Sequence, residues 1–108
     1  MNLSTSTVVI DGAAVITLSG EVDLSTIPML NDALTKAMTH HPDRRLIIDL
    51  DGVTVLDDTG LGILLGAAGA AREAGVDLAV VCNSHRLRER FERTGFSRAV
   101  EVRKRLSG

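Results

Sequence analysis

The sequence is poor in aromatic residues and in cysteine. None of the 108 residues is Trp or Tyr, two are Phe, and Cys82 is the only cysteine. A single thiol excludes an intrachain disulfide and a cysteine-rich zinc site, so we expect a reducing compartment. With so few aromatic side chains, the protein also lacks a stacking platform for single-stranded nucleic acid. We predict an aliphatic core and no nucleic-acid partner.

Long apolar runs are also missing. A membrane span needs about 20 consecutive apolar residues, and the runs here are broken by Gly, Asp or Arg. The first seven residues, MNLSTST, have neither the basic leader nor the apolar stretch of a secretory signal. With 44% hydrophobic residues the chain is not a disordered tail. We predict no membrane segment, a cytoplasmic location and one domain over residues 1–108.

The charges are unevenly distributed along the chain. The formal net charge is −2, but residues up to His85 include 4 basic and 11 acidic residues, a net −7. From Arg86 onward there are 8 basic and 3 acidic residues, a net +5. Such asymmetry can steer a partner. We interpret the basic part chiefly as a solvated surface.

The apolar pattern of the first half predicts a hairpin followed by a helix. An apolar run at 8–10 and an alternating apolar pattern at 13–19 flank Asp11-Gly12, a strong hairpin signal, so strands are predicted at 3–10 and 13–19. Gly20 is expected to end the second strand. Ser25 or Thr26 can cap a helix that runs to about residue 39, because apolar residues then recur at helical spacing.

The second half alternates between strands and helices. Strands are predicted at 46–50, with Asp51-Gly52 as a turn before apolar residues 53–56, at 78–82, and at 99–102. Helices are predicted from Asp58 to near residue 73 and between Ser84 and Gly95. The fold class is therefore α/β, with a mixed, mostly parallel sheet of four to five strands, packed helices and an N-terminal β-hairpin.

Candidate chemistry lies where the third strand gives way to the second helix. Unpaired N–H groups at a helix start favour negative groups. Asp58 is the predicted N-cap of this helix. Thr59, in the first turn beside Gly60, should keep its hydroxyl near the surface. Thr59 is therefore a reasonable acceptor for a phosphoryl group that another protein delivers.

Three glycines follow on the same helix. Gly62, Gly66 and Gly69 lie on one strip, and each costs a helix about 1 kcal/mol relative to alanine. Close approach of the backbone to the sheet is the expected reason. A docking partner on this strip is the alternative.

Three segments resemble the recurring blocks of bacterial anti-sigma factor antagonists, the STAS-domain family. They are IDLDGVTVLDDTGLGILLG at 48–66, GEVD at 20–23 and FERTGF at 91–96. The resemblance implies a single STAS-like domain that is a binding switch rather than an enzyme, without a cofactor. It also implies an anti-sigma factor of the serine/threonine kinase type as partner, whose capture frees a sigma factor. In that family the kinase phosphorylates its antagonist at the start of the second helix, and a phosphatase resets it.

The chain departs from the family at the switch itself. The family usually has Asp-Ser-Ser-Gly or Asp-Ser-Thr-Gly where residues 57–60 here are Asp-Asp-Thr-Gly. Three interpretations stay open: Thr59 accepts the phosphate, Asp58 is a permanent negative charge, or the domain binds without covalent regulation. We favour Thr59, although the carboxylates of Asp57 and Asp58 would disfavour a third negative group.

The predicted partner-binding residues surround this junction. They are Asp23, Asp57, Asp58, Thr59, Gly60 and Leu61, with Ile63 and Ala67 extending the contact along an exposed helix side. The sequence leaves the oligomeric state open.

Two other functions are compatible with the sequence. One is a STAS subunit of a larger transporter-associated or stress-signalling assembly. The other is a phosphoacceptor enzyme domain whose aspartates, Asp49, Asp51, Asp57 and Asp58, hold magnesium. That class needs a lysine late in the sheet, and the only lysines, Lys36 and Lys104, follow no predicted late strand. No histidine pair has metal-ligand spacing, so no metal site is predicted.

Overall fold

Five strands form one mixed sheet in the order β1-β2-β3-β4-β5. A computed structural model describes residues 2–106; Met1, Ser107 and Gly108, which the single-domain prediction also includes, lie outside the described residues. The strands are β1 (Leu3–Ile10), β2 (Ala13–Val22), β3 (Leu46–Leu56), β4 (Leu78–Val81) and β5 (Glu101–Arg103). Among these strands of residues 2–106, only the β1–β2 pair is antiparallel. The predicted α/β fold with a mostly parallel sheet is confirmed.

Helices connect the parallel strands. They are α1 (Ile27–His40), preceded by a 3-10 turn at Leu24–Thr26, α2 (Asp58–Glu73), α3 (His85–Thr94) and α4 (Phe96–Ala99). As predicted, Ser84 caps α3 by accepting from the Leu87 N–H, and Gly95, with φ of +80°, ends it. The short α4 was not predicted. It takes up the residues where the last strand was expected to begin, so β5 starts at Glu101 instead.

The helices cover one face of the sheet. Alternate strand residues such as Ile16, Ile48 and Val80 share a core with Leu64 of α2 and Phe91 of α3. The intervening residues Ala13, Val15, Ile47 and Val81 form a smaller cluster on the opposite face, with Leu106 packed against it. This arrangement leaves the strand ends and helix starts at the rim of the sheet.

Two predicted strand boundaries are wrong, both for the same reason. β2 continues through Gly20 to Val22, and β3 continues through Asp51 and Gly52 to Leu56. The β2–β3 register shifts at two points, after Thr17 and after Gly20, which is how bulges absorb extra residues without ending a strand. Gly20 is needed because its φ is +112° and a Cβ there would overlap the carbonyl oxygen of Asn2.

The predicted packing of the glycine strip against the sheet is also wrong. A Cβ added to Gly62, Gly66 or Gly69 would meet none of the described atoms within 4 Å, so this strip faces open space. The close approach occurs at Gly60. A Cβ there would lie 2.5 Å from Cγ1 of Val22 and 3.0 Å from Cδ1 of Leu56. The first turn of α2 is therefore held against the ends of β2 and β3.

We expect Gly60→Ala and Gly66→Ala to change stability in opposite directions. Gly60→Ala should lower the free energy of unfolding by about 1–3 kcal/mol, because the new methyl group overpacks a buried contact. Gly66→Ala, the matched control in the same helix, should raise it by about 0.5–1 kcal/mol. Urea unfolding measures both. Equal changes for the two variants would contradict the packing described here.

Candidate functional site

The carboxyl ends of the neighbouring parallel strands β2 and β3 lie side by side at one rim of the sheet. Val22 pairs with Leu56, and the N–H of Asp57 donates to the carbonyl of Val22 at 3.0 Å. Asp23 directly follows β2, so it lies next to the residues that open α2. Crevices beyond the carboxyl ends of parallel strands are the usual binding position in open α/β sheets.

A hydrogen-bonded turn begins at Asp23. Its Oδ1 accepts from the Ser25 N–H at 3.0 Å and from the Ser25 hydroxyl at 2.6 Å, and this hydroxyl bond lowers the pKa of Asp23. The Thr26 hydroxyl accepts from the Asp23 N–H at 3.0 Å and donates to the Glu21 carbonyl at 2.8 Å. Thr26 is the N-cap residue of α1, as one of the two predicted alternatives, but its side chain makes no cap hydrogen bond to α1, since the Ser25 and Thr26 side chains both serve the preceding turn. Leu24 is left 74% exposed.

The N-cap of α2 is Asp57, not Asp58 as predicted. Asp57 has extended backbone angles, and its Oδ1 accepts from the Gly60 N–H at 2.8 Å. β3 continues to Leu56, so the chain leaves the strand at Asp57 and Asp58 is already the first helical residue. The Asp58 side chain is 97% exposed, and Thr59 is exposed beside it.

An arginine of α3 spans the junction between β3 and α2. The Arg90 guanidinium donates to the Leu56 carbonyl and, at 2.6 Å, to Oδ1 of Asp58. The Arg90 side chain is only 20% exposed. One turn earlier, Arg86 donates to the Thr54 carbonyl at 3.2 Å. The interpretation of the basic C-terminal part as a solvated surface is therefore wrong for Arg90.

The predicted partner-binding residues differ in accessibility. Asp58 and Thr59 are exposed, Asp23, Asp57 and Ile63 are half-buried, and Gly60, Leu61 and Ala67 are buried. The prediction that Ala67 lies on an exposed side is wrong, because it shares the core-facing side of α2 with Leu64 and Ala71. Gly60 and Leu61 can position the first turn but offer little surface to a partner.

Leu24 and Arg90 are the residues of this site that sequence reasoning missed. Leu24 could have been found from the sequence, because this leucine between Asp23 and Ser25 fits neither the strand nor the helix periodicity. For Arg90, the signal was the excess of positive charge in a region that must fold against an acidic one.

Each of the four aspartates considered as a magnesium site accepts a hydrogen bond from a different neighbouring group. Oδ1 of Asp49 accepts from the Asp51 N–H at 2.9 Å, and Oδ1 of Asp51 accepts from the Asn83 N–H at 2.8 Å. Within residues 2–106, no three His, Cys, Asp or Glu side chains are grouped so that they could hold a metal ion. Over the same residues, no helix is long and apolar enough to cross a bilayer.

Comparison with known proteins identifies the family. The family model of the STAS domain matches residues 4–107. The chain belongs to the STAS domain family. An anti-sigma-B factor antagonist of Staphylococcus aureus is 31% identical over 102 residues, covering 94% of each chain. One from Listeria monocytogenes is 35% identical over 86 residues, covering 80% of this chain and 75% of that protein.

A solved structure shows the same architecture. The crystal structure of an anti-sigma factor antagonist from Mycobacterium paratuberculosis matches with a TM-score of 0.87 and 26% identity, covering 97% of this chain and 88% of the other. In the present STAS domain we call Asp23, Leu24, Asp57, Asp58 and Thr59 the switch edge. It presents one exposed apolar side chain, one exposed hydroxyl and three carboxylates.

We expect the two adjacent aspartates of the switch edge to differ in their effect on stability. Asp57→Ala should lower the free energy of unfolding by about 0.5–2 kcal/mol, because the Gly60 N–H loses its acceptor. Asp58→Ala should change it by less than about 0.5 kcal/mol, because its carboxylate is exposed and surface ion pairs contribute little. Thermal or urea unfolding at neutral pH measures the difference. A larger loss for Asp58→Ala would identify Asp58 as the cap.

Proposed function

We propose that this STAS domain is a cytoplasmic anti-sigma factor antagonist that acts by binding and not by catalysis. The relatives from Staphylococcus aureus and Listeria monocytogenes have that activity in their names. The observation that supports the proposal most directly is the exposed Thr59 at the start of α2, on an open edge of the sheet. The family resemblance places the regulatory hydroxyl at one of the two middle positions of residues 57–60, and Thr59 is the only hydroxyl there.

Thr59 is the proposed phosphoacceptor. The main objection to phosphorylation at Thr59 is electrostatic repulsion from the carboxylates of Asp57 and Asp58. Two contacts weaken this objection. The Asp57 carboxylate accepts from the Gly60 N–H, and the Asp58 carboxylate pairs with Arg90. Because both negative charges already have hydrogen-bond donors, a phosphate on Thr59 would not face two uncompensated carboxylates. The same contacts disfavour the alternative in which Asp58 is a free standing charge.

The proposed partner is an anti-sigma factor of the serine/threonine kinase type. In the unphosphorylated state the edge offers Leu24 and the neutral Thr59 hydroxyl to that partner. Phosphorylation adds a charge of about −1.5 to −2 at neutral pH. A charge of that size in a contact that accommodates a hydroxyl weakens docking, and a phosphatase would restore the binding state.

The phosphorylation proposal is tested with the purified kinase-type anti-sigma factor of the source organism and radiolabelled ATP. The parent chain should take up label that survives acid, as phosphothreonine does, and Thr59→Ala should take up less than about a tenth of it. Ser25→Ala, which removes another exposed hydroxyl of the same region, should be labelled like the parent. Full labelling of Thr59→Ala would exclude Thr59, and acid-labile label would indicate an aspartyl phosphate instead.

The second test concerns Leu24. Leu24→Ala should weaken binding of the anti-sigma factor about tenfold, because covering this exposed leucine removes apolar surface from water, which is worth about 1.5–3 kcal/mol for a whole side chain. The free energy of unfolding should change by less than about 0.5 kcal/mol, since Leu24 is already solvated. Isothermal titration calorimetry and urea unfolding measure the two quantities.

Val8→Ala is the matched control for Leu24→Ala. Val8 is 50% exposed, but it pairs with Val15, which lies about 23 Å along β2 from Val22. This variant should bind like the parent. Equal losses for the two variants would argue against docking at the switch edge.

A further inference from the structure

Arg90 joins three elements at the switch edge. Its guanidinium donates to the carbonyl of Leu56, the last residue of β3, and to the carboxylate of Asp58, the first residue of α2. Arg90 itself belongs to α3. Since four-fifths of its side chain is covered, it has little freedom to leave this position.

The charge of the switch edge depends on this arginine. Asp57 turns its carboxylate toward the Gly60 N–H, whereas Asp58 projects toward solvent. In the described part of the chain, Arg90 is the only cation paired with Asp58. Without Arg90, the residue next to Thr59 would present an unbalanced negative charge to any partner.

We propose that Arg90 is a positioning residue for partner recognition, because it neutralises Asp58 and so keeps the edge in the charge state that the partner binds. This inference rests on the proposed function, in which added negative charge at Thr59 releases the anti-sigma factor. Loss of Arg90 then mimics phosphorylation in part without any change at Thr59. It also explains how a chain with aspartate at position 58 can still present an unphosphorylated binding surface.

The test is a double-mutant cycle on the full chain, with the purified anti-sigma factor of the source organism as the probe. Arg90→Ala should weaken binding about tenfold at low salt, and less at 0.5 M salt because the effect is electrostatic. Asp58→Asn removes the carboxylate that Arg90 neutralises, and its measured affinity is the reference for the double variant. The double variant should bind within about threefold of Asp58→Asn, because position 58 then carries no charge for Arg90 to balance. A purely structural role of Arg90 would give no such rescue.

Arg86→Ala is the matched control. Arg86 lies on the same helix and donates to a carbonyl of the same strand, and it pairs with no carboxylate within residues 2–106. It should bind like the parent. Arg90→Gln, which keeps a long polar side chain without the charge, should show the loss seen for Arg90→Ala and replaces it if that variant does not fold.

The outcomes separate this inference from the function on which it rests. A parent chain that binds no anti-sigma factor overturns the proposed function and the role of Arg90 with it. If the parent binds and Arg90→Ala binds equally well, only the role of Arg90 is overturned. A double variant as weak as Arg90→Ala alone would mean that the arginine acts through Leu56, and would also overturn the charge mechanism.

Discussion

The parallel pairing of β2 with β3 is the constraint on which the rest of the site depends. It places Val22 opposite Leu56, and the hydrogen bond from Asp57 to Val22 extends the pairing one residue beyond β3. The two chain segments that leave these strands therefore start side by side, one into the turn at Asp23 and the other into α2. Gly60 lets the first turn of α2 sit directly on this pair of strand ends. A larger residue there would move the helix start that presents Thr59.

Electrostatics adds a second level to this arrangement. Most acidic residues precede His85 and most basic residues follow it, so folding α3 onto the sheet brings the two regions together. Arg90 brings these two regions into contact at the candidate site, because its guanidinium reaches the end of β3 and the exposed carboxylate beside Thr59. The charge of Asp58 is thereby balanced, and Leu24, the one exposed apolar side chain of the switch edge, stays accessible. In the proposed function, phosphorylation of the Thr59 hydroxyl then decides whether the partner remains bound.

Much of the fold was predictable because its signals are local. The hairpin at Asp11-Gly12, the Ser84 cap and the Gly95 stop each depend on a few adjacent residues, and all three were found in the structure. The errors arose where an ambiguous local signal was resolved by a distant contact. Gly20 and Gly52 can end a strand, but pairing between β2 and β3 accommodates both within bulged strands. Asp57 and Asp58 are equally good caps by type, and only the length of β3 selects Asp57.

The sequence by itself determined the fold class, the family resemblance and the position of the candidate hydroxyl, because periodicity, turn residues and contiguous motifs are properties of neighbouring residues. The tertiary structure alone decided which side chains are accessible and which charges are compensated. Ala67 and Gly66 differ little as residue types, yet one faces the core and the other faces open space. Arg90 lies 32 residues from Asp58 in the chain. Burial and ion pairing are set by distances in space, and no local pattern reports a distance across so many residues.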